Sequence, residues 1–300
     1  MSDSTEPPSR SLTAPELPRA DLLRKQLRVA LTRARSDAGL TRQQVADELD
    51  WSQSKVIRIE QGSVPVAPSD VRVMLSIYKV TDAEKVDSMV ALARQARDAK
   101  GWDQFGVEMG PAFVDLVAQE GVASQIWQFA PSVPPGVFQT EGYARALLEG
   151  LGHAAEDVDR RASLRAARQR ILDRDPPPKF NVILSELIAR RPVGGPTVMR
   201  EQLRRLIQLG SRPNIDLHLL PMSVGAYPGM DREFTILQFD DDDLDDTVYL
   251  DDAQRRNSAR DEPEEVLHYV NQYNRLDEMI THPPSCEQRF EEIIEELYTE

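Results

Sequence analysis

GLTRQQVADELDWSQSKVIRIEQG (Gly39–Gly62) reads as two short helices joined by a tight turn. Thr41 stands at an N-cap position with Gln44 three residues on, the pattern of a capping box. A helix over Arg42–Leu49 then turns Val45, Ala46 and Leu49 inward, and Ala46 is small, as needed where two helices cross closely. Asp50 and Trp51 make the turn, and Ser52 caps a following helix over Gln53–Glu60. Val56 and Ile59 face the core of that helix at a spacing of three, and Gly62 supplies the left-handed backbone that stops it. Upstream, Leu27, Leu31 and Ala34 share one face of an earlier helix that Asp37-Ala38-Gly39 terminates.

Helix, tight turn, helix makes the second helix of the pair a reader of duplex DNA. Its outward face carries Gln53, Ser54, Lys55 and Arg58. Glutamine bonds adenine in a bidentate manner, arginine bonds guanine or phosphate, and serine and lysine hold the backbone. Arg42 opens the preceding helix, where its side chain and the free amides both favour phosphate; Gln43 and Ser52 complete the set. Bland readings stand beside these: a solvated Lys55, an Arg58 paired with Asp47 or Glu48, or a plain helical hairpin with a polar face. Glu60 reads as structural, since a carboxylate next to phosphates is unfavourable.

The segment resembles the Cro/repressor-type helix-turn-helix family, also called the xenobiotic-response-element family, over about residues 22–80. The resemblance rests on the Gly-Leu-Thr start, the small residue in the second helix, the Ser-Gln-Ser run and the Arg-Ile-Glu ending. It implies a lambda-repressor-like all-α domain bound to double-stranded DNA. Ile57 departs from the family, which carries a small polar residue there; it either touches a thymine methyl or packs on a neighbour.

Around this segment, the chain of 300 residues suggests two domains. The expected division is a disordered tail over 1–18, the DNA-binding domain over 19–80, a helical linker over 81–104 and an α+β domain over 105–300. Trp102 and Phe105 are read as part of a turn that docks the linker. The net charge of −14 argues against DNA binding until its distribution is read. Arg19–Lys79 holds 11 Lys/Arg against 7 Asp/Glu, a balance of +4, whereas Asp240–Glu300 holds 5 against 20, a balance of −15. One end can face phosphates while the other repels them. No apolar run reaches membrane-spanning length and the first 18 residues carry no signal-like apolar core, so a cytoplasmic protein is expected. The lone Cys286 allows no intramolecular disulfide and no cysteine-based zinc site.

In the second half, helices are expected over Ala112–Gln119, from Thr140 to Leu148, and over Ala155–Arg174, Thr197–Leu209, Pro263–Ile280 and Pro284–Tyr298. Strand composition marks Ser124–Phe129, Phe180–Leu184, Ile215–Leu220, Phe234–Phe239 and Thr247–Leu250. PSVPPGVFQTEGYARALL (Pro131–Leu148), ARQRIL (Ala167–Leu172), VGGPTVMREQLRRL (Val193–Leu206), RPNIDLHLLP (Arg212–Pro221) and FTILQF (Phe234–Phe239) together resemble the C-terminal domain of a group of actinobacterial helix-turn-helix regulators. Those are described as antitoxin-like or developmental regulators, typically beside genes for short companion proteins. Ser185–Arg191 and Asp251-Asp252 depart from that pattern.

No catalytic constellation is visible, so the chain is read as a non-enzyme without cofactor or metal. His153, His218, His268 and His282 are scattered, and the aspartates of 240–246 lack the glycine and terminal glutamate of a calcium loop. A nucleotide or nucleic-acid hydrolase therefore has little to stand on. Gln139, Thr140, Glu141 and Tyr143, where a Pro/Gly loop feeds a helix, form either a structural cap or a seat for a small ligand or peptide. Arg160, Arg161, Arg165, Arg168 and Arg170 stripe the long helix. That stripe can pair within the fold, with the acidic C-terminal helices among others, or meet an acidic partner or DNA. Gln139, Thr140, Tyr143 and Arg168 are the candidate partner or ligand residues. The expectation is a homodimeric transcriptional regulator whose second domain dimerises or senses a small neighbour-encoded protein or ligand. The alternative is an antitoxin-like protein whose DNA binding serves autoregulation.

Overall fold

The computed structural model describes residues 20–60, 66–98, 111–240, 244–251, 257–280 and 285–298. The expectations for the tail over 1–18, for Gly62, for Trp102 and Phe105, and for His282 lie outside them.

Over its described residues the N-terminal half is α-helical. α1 (Ala20–Asp37) ends on Gly39, whose φ of +69° lets the Leu40 amide reach back to the Arg35 carbonyl. α2 (Arg42–Leu49) opens with the expected capping box: Thr41 Oγ1 accepts the Gln44 amide at 3.2 Å, and Gln44 Oε1 accepts the Thr41 amide at 2.8 Å. Asp50 takes the left-handed conformation at φ 52°, and the Trp51 amide closes on the Ala46 carbonyl. α3 (Gln53–Glu60) starts where Ser52 Oγ accepts the Lys55 amide at 3.2 Å. α4 (Pro68–Ile77) and α5 (Ala83–Asp98) complete the bundle. One core holds Leu27, Leu31, Val45, Ala46, Val56, Ile59, Met74, Leu75, Met89 and Val90. The stretch expected as a linker therefore differs: α5 packs on α1 and α4 and buries Met89, Val90 and Ala93 in this core.

The second half is α+β. Among the described residues its strands are β1 (Gln125–Ala130), β2 (Lys179–Ser185), β3 (Ile215–Leu220), β4 (Phe234–Gln238), β5 (Thr247–Asp251) and β6 (Asn257–Arg260), in the order β3-β2-β1-β4-β5-β6. β1, β2 and β3 run parallel, while β4, β5 and β6 continue the sheet antiparallel. The helices are α6 (Pro111–Glu120), α7 (Glu141–Gly150), α8 (Ala155–Arg168), α9 (Leu187–Arg190), α10 (Gly195–Gly210), α11 (Pro263–Glu278) and α12 (Cys286–Leu297).

Both sheet faces are covered, which is why the central strands are apolar on successive residues. On one face Phe180, Val182 and Leu184 pack with Leu203 and Leu206 of α10 and Phe290 of α12. On the other, Phe129, Ile183, Phe234 and Ile236 pack with Tyr273 and Leu276 of α11. Buried Gln202 ties α10 to the turn before α7: its Oε1 accepts the Thr140 amide at 2.7 Å and its Nε2 donates to the Phe138 carbonyl at 3.0 Å. The helix expected to reach Arg174 changes at Arg168 to a 3-10 turn over Gln169–Asp173, which drives Ile171 and Leu172 inward.

Candidate functional site

α3 is fixed from beneath by a buried carboxylate. Glu60, its last residue, has a side chain 0% exposed; Oε1 accepts Arg35 Nε and Oε2 accepts Arg42 Nε, both at 2.6 Å. Arg35 also donates to the Leu40 carbonyl at 2.6 Å, so one side-chain cluster links α1, the α1–α2 turn, α2 and α3. Val56 and Ile59 hold the inner side of α3 at 0% and 4% exposure. The opposite side faces solvent with Gln53, Ser54 and Arg58 exposed and Ile57 half-buried. Arg58 Nε lies 3.3 Å from the Ser54 carbonyl one turn back, and among the described residues no carboxylate of α2 is paired with it.

The remaining candidates differ in what they leave free. Lys55 lies 3.3 Å above the Trp51 ring and pairs with Asp70 at 3.0 Å, which directs its ammonium toward α4. Ser52 spends its hydroxyl oxygen on the cap, and Gln43 donates to Asp47 at 2.7 Å. Arg42 gives Nε to Glu60 yet remains 45% exposed along its side chain. Sequence reasoning identified Glu60 as structural but missed Arg35 and Tyr78, whose hydroxyl is buried without a partner beside this cluster. Burial, reinforced by the Glu60 charge, raises the Tyr78 hydroxyl pKa well above the ordinary value.

The candidate residues of the second domain separate. Thr140 is a structural cap, accepting the Tyr143 amide at 3.2 Å. Tyr143 is 0% exposed in the sheet core, which leaves it no surface to offer a ligand. Gln139 and Arg168 instead line a cavity between α6, α7, α8 and the sheet. Arg168 is buried against Glu120 of α6, with contacts of 2.8, 2.9 and 3.1 Å, rather than against the C-terminal helices. Gly136 makes room for it, since a Cβ there would stand 3.3 Å from Arg168 Nη1. Arg160 pairs within its own helix, with Asp157 at 3.2 Å.

Among the described residues no group of three or more His, Cys, Asp or Glu side chains could hold a metal ion, and no helix is long and apolar enough to cross a membrane.

Comparison with known families adds two matches. A family model described as Helix-turn-helix domain covers residues 26–87, which span α2, α3 and α4 together with most of α1. A second, described as Domain of unknown function (DUF5753), covers residues 113–283, more than half of the chain. No curated protein and no solved structure matches.

Proposed function

The chain belongs to the family described as Domain of unknown function (DUF5753), with a helix-turn-helix domain ahead of that region, and on this footing we propose that it is a sequence-specific DNA-binding regulator. The observation that carries the reading is α3 itself. Gln53, Ser54 and Arg58 stand exposed on a helix whose other side is pinned by Val56, Ile59 and the Glu60 ion pairs. A rigid element carrying free hydrogen-bonding groups is what base readout in the major groove requires.

In this reading Gln53 and Arg58 contact base edges and Ser54 the adjacent backbone. Arg42 meets a phosphate with the part of its guanidinium that Glu60 does not use, beside the open amides of α2. Ile57 contributes an apolar contact, and Lys55, Gln43 and Ser52 hold the reading unit together from its margin. One such unit buries too little surface for tight specific binding, so the protein acts as a homodimer on two half-sites. The second domain supplies the dimer contact or the sensing of a signal. The C-terminal resemblance to actinobacterial regulators supports that division of labour.

The test is capture and sequencing of genomic fragments on the purified full chain, with the Gln53→Ala/Arg58→Ala double variant as control. A sharp motif that is lost in the variant is expected, and its half-site spacing reports the dimer geometry. A motif unchanged in the variant rejects α3 as the reader. Absence of any motif for the parent protein shifts the weight to an antitoxin-like role.

A further inference from the structure

We infer that the second domain binds a small organic oxyanion, a phosphate or carboxylate on an apolar body, in the cavity between α6, α7, α8 and the sheet, with Arg161 and Arg165 as its principal ligands. This rests on the sensing half of the proposed function and gives it a site and a ligand class.

The cavity measures about 650 Å³, within the range of pockets for small organic molecules. Its apolar wall is built by Phe113, Leu116, Leu147, Leu148, Leu151 and Leu164. Its charged wall is unbalanced. Arg161, Arg165, Arg168 and Arg191 all border it, against the carboxylates of Glu120 and Glu233. Glu120 is consumed by the bidentate contact with Arg168, and Glu233 accepts Gln128 Nε2 at 2.8 Å. Among the described residues neither Arg161 nor Arg165 is paired with a carboxylate; the Arg165 side-chain contact is a long one, 3.4 Å to the Arg161 carbonyl. A cation half-buried in a cavity without a counter-ion is costly, so this arrangement calls for an anion from outside.

Two unsatisfied atoms sharpen the point. Arg161 Nε is a buried donor without a partner, and Gln139 Oε1 is a buried acceptor without one, although Gln139 Nε2 donates to the Pro134 carbonyl at 2.8 Å. Gln139 is 3% exposed, and both residues line the same cavity. Leaving such groups unpaired costs free energy that a ligand with an oxyanion and a nearby hydroxyl or amine recovers. The Arg165 guanidinium responds to the same surroundings: burial, together with the charges of Arg168 and Arg161, pushes its pKa down to about 10. An anion between these side chains reverses that pressure, and a guanidinium fork fits phosphate and carboxylate alike.

The experiment uses the full chain without DNA, so its outcome is independent of whether α3 reads a sequence. Calorimetric titration and thermal melting are run with phenyl phosphate, benzoate, inorganic phosphate and chloride at matched ionic strength. Saturable binding and a raised Tm are expected with phenyl phosphate or benzoate, and whichever binds more tightly identifies the head group. Inorganic phosphate, lacking the apolar body, is expected to bind more weakly, and chloride to have no effect. Arg161→Gln/Arg165→Gln is expected to weaken binding at least about tenfold, in line with loss of charge-assisted contacts. Arg165→Lys, which keeps the charge and loses the fork, is expected to fall between and serves if the double variant does not fold. No saturable binding by either organic anion, or binding undiminished in both variants, overturns the proposal.

Discussion

The Arg35 guanidinium donates to Glu60 at 2.6 Å across 25 residues of sequence, and the carboxylate it meets is fully buried. Arg35→Met strands part of that charge, and Glu60→Gln strands two arginines. Removing one partner of a buried pair costs about 3–5 kcal/mol. Both variants are expected to unfold the N-terminal bundle at markedly lower urea concentration, followed by far-ultraviolet circular dichroism. A loss below 1 kcal/mol, taken as about the scale of an exposed pair, would show that the contact is dispensable.

If α3 reads DNA as proposed, Arg42 and Gln53 fail differently. Arg42→Met removes the proposed phosphate contact together with one of the two partners of Glu60, so in the folded variant affinity falls about equally on all sequences and the slope of log K against log salt becomes shallower by about one. Gln53→Ala leaves the slope nearly unchanged but relaxes the choice at one base pair by about 1–3 kcal/mol. Fluorescence anisotropy over a salt series on the best fragment and a single-base mismatch separates the two.

Gly194 has a φ of +73°, and a Cβ there would stand 2.8 Å from Ala146 Cβ and 2.9 Å from Val198 Cγ1. Gly194→Ala therefore combines backbone strain with overpacking between α7 and α10, at a cost of about 1–3 kcal/mol. Gly152, with φ +82° and nothing within 4 Å, is the control. Gly152→Ala carries the strain alone and is expected to shift the urea midpoint less.

Glu186 gives the second domain an acid-sensitive joint. Burial alone would raise its pKa, but Arg190 at 2.7 Å, Arg289 at 2.8 Å and the Met222 amide at 3.3 Å outweigh it and hold the carboxyl below its ordinary value. A depressed folded pKa contributes stability above the unfolded value, and that stability is lost as pH falls through the carboxylate range to the folded value. Glu186→Gln should therefore lower Tm at neutral pH, by an amount worth about 1–3 kcal/mol, and the gap should close under acid. A gap independent of pH would assign the effect to packing.

Cys286 is expected to be sluggish as a nucleophile. Burial, with the Asp216 charge in support, pushes its thiol up to about 12. Very little thiolate exists at neutral pH, so iodoacetamide labelling of the native chain should be far slower than labelling in urea. Equal rates would contradict the partly buried placement.

Local patterns carried most of what could be read from residues alone. The capping box at Thr41 and the Ser52 cap involve partners three residues away, and both form as their spacing implies. The apolar strands are equally legible, because burial on two faces demands them. β6 is not, because Asn257–Arg260 pairs only with β5 at the sheet edge and carries no apolar alternation. Lys55 shows the limit within the site: its place on the outer side of α3 is readable, but its turn toward Asp70 depends on a helix eight residues beyond α3. The arginine stripe on α8 shows the same limit at longer range. Its spacing is visible, yet sorting Arg160 to the surface, Arg168 to Glu120, and Arg161 and Arg165 to a cavity takes α6 and the sheet to decide.

α1 gives Leu27, Leu31 and Ala34 to the bundle core, and it also lies against α6, the helix that carries Glu120. It is a party wall between two rooms. Cutting the chain between residues 98 and 111 would not yield two finished halves, because each would be left with a raw surface where the wall had stood. The same sharing makes the cavity and α3 mechanical neighbours: Arg168 grips Glu120, α6 bears on α1, and Arg35 of α1 grips Glu60 at the end of α3.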